Sequence, residues 1–95
     1  MRKAIVIKES DNVATALADL LPGQVLTIDL PSGREEVTVR DSIPFGHKFA
    51  IRPIPKGQAV IKYGETIGRA LQEIEVGGYV HVHNLESQRG RGDIA

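Results

Sequence analysis

A short pattern of apolar residues and glycine recurs three times along this chain and limits what the chain can fold into. Each copy has an apolar residue, two other residues, a glycine, two more residues and a second apolar residue. The copies are Leu20-x-x-Gly23-x-x-Leu26, Ile54-x-x-Gly57-x-x-Val60 and Ile74-x-x-Gly77-x-x-Val80. A buried anchor, a tight turn and the first inward residue of a strand would give this spacing. The repetition predicts a compact, mostly β domain with several sharp reversals.

The length and charge of the chain narrow its class. Ninety-five residues make one domain, which we place at residues 1–87, with a polar, glycine-rich and flexible tail at residues 88–95. Twelve basic and twelve acidic residues give no net charge, which argues against nucleic acid as the main partner. There is no cysteine and no apolar run near the roughly 20 residues of a membrane span. We therefore expect a cytoplasmic protein without a membrane or nucleic-acid role.

Alternating apolar and polar residues predict most of the strands. These strands lie at residues 4–7, 25–30, 36–40, 48–52, 59–61 and, less regularly, 67–74. One short helix is predicted at residues 11–21, where apolar side chains recur on one stripe at helical spacing. The stripe consists of Val13, Ala16, Leu17, Leu20 and Leu21. Ser10 or Asp11 can cap this helix, and Pro22 follows its last residue.

Two of the three histidines, His81 and His83, lie in a segment that alternates like a strand. Residues i and i+2 of a strand point to one side, so the two imidazoles would project together while Val82 faces the core. Two such imidazoles can bind one metal ion or one oxygen-rich ligand. A catalytic metal usually has three protein ligands, and Glu86 and His47 are candidates for the third. Simple hydrogen bonding of both histidines on a half-exposed strand is the alternative.

A second group of candidate residues lies at residues 61–65. Lys62 and Tyr63 would point to opposite faces of a strand, and Gly64 would let the backbone approach a ligand or another strand. Lysine can neutralise a carboxylate, and both Lys and Tyr can take part in proton transfer. One solvated lysine beside one edge tyrosine is the simpler alternative. Gly46-His47-Lys48 is similar in kind, because a glycine precedes two groups that can meet an anion.

Together these segments resemble the SAF domain of the altronate and galactarate dehydratase family. The resemblance runs from about residue 2 to Asn84. It rests on Pro44-Phe45-Gly46-His47-Lys48, on Ile61-Lys62-Tyr63-Gly64-Glu65-x-Ile67-Gly68, and on Gly77-x-Tyr79-Val80-His81-Val82-His83-Asn84. It implies a β-clip fold, which is also seen in type III antifreeze proteins and in the C-terminal domains of sialic acid synthases.

The same resemblance implies a hydro-lyase that acts on a sugar acid. Because the chain stops just after the SAF domain, we expect a stand-alone small subunit that works with a separately encoded large dehydratase subunit and is inactive alone. The family chemistry is elimination of water, or of sulfite, from a polyhydroxy or sulfonated carboxylic acid. It typically needs a divalent metal such as iron or manganese, held by this chain alone or only in the assembled enzyme.

The resemblance and the side-chain chemistry together give each candidate residue an expected role. The expected catalytic residues are His81, His83 and Lys62, of which His81 and His83 are also the expected metal ligands. The expected substrate-binding residues are His47, Lys48, Tyr63, Gly64 and Asn84. We expect these groups to converge on one surface. The alternatives are a sulfolactate sulfo-lyase small subunit and a non-catalytic β-clip module that binds carbohydrate or protein, and self-association is left open.

Overall fold

Nine antiparallel strands and no helix make up residues 2–87, the part of the chain that the computed structural model describes. The strands are β1 (Ala4–Ile5), β2 (Val13–Ala16), β3 (Val25–Leu30), β4 (Gly33–Thr38), β5 (Lys48–Ala50), β6 (Ala59–Lys62), β7 (Glu65–Ala70), β8 (Tyr79–Val80) and β9 (Leu85–Ser87). They form sheets in the orders β1-β2-β5-β8, β3-β4 and β6-β7-β9. The predicted mostly β class is confirmed, and the arrangement is consistent with a β-clip. The tail prediction for residues 88–95 lies outside the described residues.

Four tight turns of one kind reverse the chain between these strands. They span residues 21–24, 44–47, 55–58 and 75–78, and in each the last N–H donates to the first C=O at 2.9–3.1 Å. The third position is a glycine with φ between 84° and 89°, which is the geometry of a type II turn. Three of these turns are the three predicted copies of the sequence pattern. The fourth is Ile43-x-x-Gly46-x-x-Phe49, a copy that the prediction did not include.

The apolar anchors that precede the four turns pair with one another. Leu20 and Ile43 exchange two backbone hydrogen bonds of 2.8 and 2.9 Å, and Ile54 and Ile74 exchange two of 2.9 and 2.8 Å. Both pairs are isolated bridges outside the named strands. The first pair belongs to one core cluster, together with Phe49, and the second pair belongs to another. Each core is therefore closed by one bridge and two glycine turns.

Strand β2 lies where the sequence predicts a helix, so the helix prediction for residues 11–21 is wrong. β2 is hydrogen-bonded to β1 on one side and to β5 on the other. Val13 packs in one core cluster while Ala14 and Ala16 pack in the other, so both faces of the strand are buried. A helix with a single apolar stripe would leave one of these faces in water. An isolated helix of this length is also only marginally stable, so tertiary packing decides the outcome.

The other predicted strands are confirmed: 25–30 keeps its bounds, 4–7 and 48–52 are shorter, 59–61 is one residue longer, and 36–40 and 67–74 begin and end earlier than predicted. The hairpin around Pro31 is β3-β4, in register from Val25 opposite Thr38 to Leu30 opposite Gly33. The irregular strand is β7, which ends at Ala70 and pairs with β9 and, across a register shift, with β6. The described residues contain no helix long and apolar enough to cross a membrane.

Gly77 is the turn glycine whose replacement should damage the fold most. A methyl group there would collide with the carbonyl oxygen of Thr38, whereas one at Gly23 would meet no atom within 4 Å. Both glycines have positive φ, so Gly23→Ala should lower the free energy of unfolding by about 1–2 kcal/mol from backbone strain alone. Gly77→Ala carries the same strain plus the collision and should cost more than about 4 kcal/mol. Equal midpoints for the two variants in urea unfolding would contradict a close contact between Gly77 and the Thr38 carbonyl.

Candidate functional site

The histidine segment is not a continuous strand, so its predicted geometry is wrong. β8 ends at Val80, and residues 81–84 form a turn in which the Asn84 N–H donates to the His81 carbonyl at 3.0 Å. Val82, at the tip of this turn, is 77% exposed instead of facing the core. The side chain of Asn84 is buried and holds the turn. Its Oδ1 accepts the His81 N–H at 2.9 Å, and its Nδ2 donates to the Tyr79 carbonyl at 2.7 Å.

Four rings nevertheless lie together where β5 begins and β8 ends in the β1-β2-β5-β8 sheet. We call them the imidazole cluster: His47, Tyr79, His81 and His83. β5 pairs with β8 so that Lys48 lies opposite Val80, and continuing that register places His47 opposite His81. The two imidazole centroids are 5.1 Å apart. Tyr79 connects His81 with His83. Its ring stacks on the His81 ring at a centroid distance of 5.4 Å and makes a tilted contact with the His83 ring at 5.7 Å.

A second group lies on the neighbouring strands, and we call it the lysine cluster: Thr15, Lys48, Lys62 and Tyr63. Thr15 and Lys48 are register partners across β2 and β5. The Tyr63 hydroxyl lies 3.5 Å from Thr15 Oγ1, and the Lys62 Nζ lies 5.0 Å from the Tyr63 ring centroid. Within residues 2–87, neither lysine forms an ion pair. Both amines of the cluster thus lack an ion-pair partner among the described residues, which leaves them able to pair with an anion.

The side chains of Asp11 and Asn12, in the segment before β2, hold the turn that carries Tyr63. Tyr63 and Gly64 connect β6 to β7 with φ values of 54° and 80°, which are typical of a type I′ hairpin turn. Asp11 is 2% exposed, and its Oδ1 accepts the Gly64 N–H at 2.8 Å. The amide of Asn12 accepts the Ile61 N–H at 2.7 Å and donates to the Ala59 carbonyl at 2.9 Å. Asp11, a predicted helix cap, instead fixes the hairpin that presents Lys62 and Tyr63.

The electrostatics of the two clusters are coupled through Lys48. Desolvation, and then the charge of Lys62, lower the pKa of the Lys48 amine from its ordinary value of 10.5. Desolvation lowers the pKa of the His81 imidazole below its ordinary value of 6.5, and His47, Lys48 and His83 lower it further. His81 is therefore held as a neutral ring at neutral pH. An anion bound between the clusters would reverse the repulsive part of both shifts.

The structure places the predicted site residues in different situations. His47, His81 and His83 share the imidazole cluster, and Lys48, Lys62 and Tyr63 share the lysine cluster. Gly64 and Asn84 already have structural partners: the Gly64 N–H donates to Asp11, and Asn84 is 4% exposed beneath its turn. The substrate-binding roles of these two residues stay predictions.

A complete metal site is not formed by the described residues. Within residues 2–87, no group of three or more His, Asp or Glu side chains is arranged to hold a metal ion. His81 and His83 both touch Tyr79, but the strand geometry that was expected to aim them at one ion is absent. The donor set among residues 2–87 does not fit a metal centre built by these residues alone. Metal binding by His81 and His83 stays a prediction.

Two residues of these clusters were not assigned a role from the sequence. Tyr79 lies at the centre of the imidazole cluster, and Thr15 lies beneath Tyr63. A signal for Tyr79 was present, since it stands two residues before His81 and therefore on the same face of the strand that the alternation predicts. Thr15 carried no such signal, because it falls inside the segment that the apolar stripe assigns to a helix.

Comparison with known proteins connects this geometry to a family of lyases. Residues 2–88 match the family described as the altronate/galactarate dehydratase SAF domain. The altronate dehydratase of Escherichia coli (strain K12) is 49% identical over 83 residues, which are 87% of this chain and 16% of that protein. The galactarate dehydratase (L-threo-forming) of the same organism is 36% identical over 76 residues, 80% of this chain and 14% of that protein.

A shorter relative matches part of the chain. The (2R)-sulfolactate sulfo-lyase subunit alpha of Paracoccus pantotrophus is 45% identical over 53 residues, which are 56% of this chain and 79% of that protein. The match thus covers 16% of the length of the E. coli altronate dehydratase but 79% of the length of the small lyase subunit.

The lowered pKa of His81 predicts how the ring titrates and how stability depends on pH. The folded state binds this proton more weakly than the unfolded state, so His81 contributes stability above pH 6.5 that is lost as the pH falls through its folded pKa. Lys48→Met should raise the pKa of His81 but leave it below 6.5, because desolvation remains. Lys56→Met, on the exposed 55–58 turn, is the matched control. An NMR titration in which Lys48→Met leaves the His81 midpoint unchanged would contradict the coupling.

Proposed function

This chain belongs to the altronate/galactarate dehydratase SAF-domain family, and we propose that it supplies one wall of a sugar-acid lyase active site. The rest of that site would come from a separately encoded large dehydratase subunit. The proposed substrate is a polyhydroxy carboxylic acid that loses water. The observation that carries the proposal is the pair Lys48 and Lys62, two mutually repelling amines with no ion-pair partner among residues 2–87.

A substrate carboxylate would complement these two amines. Desolvation and the like charge of Lys62 destabilise the protonated amine of Lys48. A bound anion would stabilise that protonated form. Holding the carboxylate also assists the reaction, because loss of the α-proton spreads negative charge onto that group. The lysine cluster would therefore favour the transition state as well as binding.

The imidazole cluster would take part in the proton transfers of the reaction. Elimination of water removes a proton from the carbon next to the carboxylate and protonates the departing hydroxyl group. His81, kept neutral by its surroundings, is suited to accept a proton or a hydrogen bond near neutral pH. His47, 5.1 Å away between ring centroids, can donate to a hydroxyl oxygen of the same substrate. The divalent metal that the family resemblance implies would be bound in the assembled enzyme.

The need for a larger partner follows from the shape of this wall. The imidazoles and lysines lie on a half-exposed surface, and the described residues provide nothing that closes over a substrate. Exposed apolar side chains flank the clusters: Phe45, 65% exposed, precedes His47 by two residues, and Val82 lies between His81 and His83. A partner protein that covers these side chains would exclude water from the lysines and strengthen their electrostatic attraction for an anion.

A sulfolactate sulfo-lyase subunit is the second candidate, favoured by the 45% identity to subunit alpha of that enzyme. Its substrate also carries a carboxylate, so the same lysines would serve it. The two candidates differ in the leaving group, which is sulfite in place of water.

The test is to isolate the larger polypeptide that co-purifies with this chain and to assay the mixture and each part alone. Altronate and galactarate should yield a 2-keto acid only when both parts are present, whereas sulfite release from sulfolactate would select the second candidate. Lys62→Met should lower kcat/KM about 10- to 100-fold, the range for losing a hydrogen bond to a charged group. Lys56→Met is the control. Carbohydrate binding without turnover in any mixture would make the chain a non-catalytic module.

A further inference from the structure

Tyr79 occupies the centre of the imidazole cluster without an assigned role. Its ring contacts all three histidines of the chain, with centroid distances of 5.7 Å to His47, 5.4 Å to His81 and 5.7 Å to His83. Its hydroxyl lies 2.7 Å from His47 Nδ1. We infer that Tyr79 is a positioning residue whose hydroxyl fixes His47 with its proton on Nε2. The inference deepens the proposed function, since it names the group that prepares His47 for substrate.

The direction of the hydrogen bond follows from the chemistry of the two groups. A phenol has a pKa near 10 and is a good donor, whereas the N–H of a neutral imidazole is a much weaker acid. The unprotonated imidazole nitrogen is in turn a better acceptor than a phenolic oxygen. At 2.7 Å the favoured arrangement is therefore Tyr79 O–H donating to His47 Nδ1. The proton of the neutral His47 ring then lies on Nε2.

The backbone of Tyr79 is held from two directions, which makes the residue a firm support. Its N–H donates to Asp41 Oδ2 at 2.8 Å, and its carbonyl accepts from Asn84 Nδ2 at 2.7 Å. It also lies opposite the fully buried Phe49 in the pairing of β5 with β8. The buried Asn84 thus acts on the site through Tyr79 and through the backbone of His81.

The consequence is a division of roles between the two facing histidines. His47 presents an N–H at Nε2, and within residues 2–87 this group donates no hydrogen bond. The stacked Tyr79 ring orients His81. A hydroxyl or carboxylate oxygen of the substrate would meet a donor at His47. Without the Tyr79 hydroxyl, His47 could exchange its two neutral forms and rotate, and only part of the population would present that donor.

The inference can be tested on the chain alone, independently of any enzymatic activity. Long-range proton–nitrogen NMR correlations, recorded where the imidazoles are neutral, report which ring nitrogen carries the proton. In the native chain His47 should show an unprotonated Nδ1 and a protonated Nε2. In Tyr79→Phe, which keeps the ring and loses only the hydroxyl, the two nitrogen shifts of His47 should move toward each other. Tyr63→Phe removes the other phenolic hydroxyl of the chain and should leave His47 unchanged.

Two results would overturn the inference. One is a native His47 with its proton on Nδ1, which needs no variant to observe. The other is a folded Tyr79→Phe whose His47 nitrogen shifts match those of the native chain. In the active assembly, Tyr79→Phe should lower kcat about tenfold with little change in KM, since the lysines that hold the carboxylate are untouched. A correct NMR result with no activity in any mixture would instead count against the proposed function.

Discussion

Two isolated backbone bridges, Leu20 with Ile43 and Ile54 with Ile74, are the constraint on which this molecule depends. Each joins a pair of buried anchors just before a pair of glycine turns, and each closes one of the two cores. The strands between them are only two to six residues long and could not form a stable sheet separately. The four turns lead directly into β3, β5, β6 and β8, so the bridges also fix where the site side chains on β5, β6 and β8 emerge.

The imidazole and lysine clusters are products of this arrangement. The turn at residues 44–47 ends at His47, and the turn at residues 75–78 leads directly into Tyr79. β5 pairs antiparallel with β8, so the turn at residues 44–47 lies beside the turn at residues 81–84, at one end of the β1-β2-β5-β8 sheet. β6 reaches the same region through hydrogen bonds of the buried Asp11 and the partly exposed Asn12. Residues far apart in sequence thus meet through the antiparallel pairing of β5 with β8 and through the hydrogen bonds of Asp11 and Asn12.

Local patterns in the sequence predict the parts of this fold that local forces decide. The β3-β4 hairpin is predictable because Leu26, Ile28 and Leu30 alternate and a turn follows. β2 is not, because the spacing of Val13, Ala16 and Leu20 suits a helix, and only the cores on both sides of the strand favour the extended form. The turn at residues 81–84 escapes prediction for a similar reason. Its shape depends on the Asn84 amide reaching two backbone groups, which alternation cannot reveal.

The candidate site was predictable in its chemistry more than in its geometry. Lysine, histidine and tyrosine beside glycine indicate an anion site, and the resemblance to the dehydratase SAF domain names the same residues. The role of Tyr79 depends on a hydrogen bond across 32 residues, for which the sequence has no local sign. The absence of a complete metal site in residues 2–87 likewise depends on where the strand ends.

The most direct measurement is a crystal structure of this chain assembled with its larger partner, with a sugar acid such as galactarate bound. The account predicts a substrate carboxylate oxygen about 2.7–3.2 Å from the Nζ of Lys48 or Lys62, and a substrate oxygen at the same distance from His47 Nε2. A bound acid that contacts neither lysine, with both clusters facing solvent, would contradict the claim that this surface is a wall of the active site.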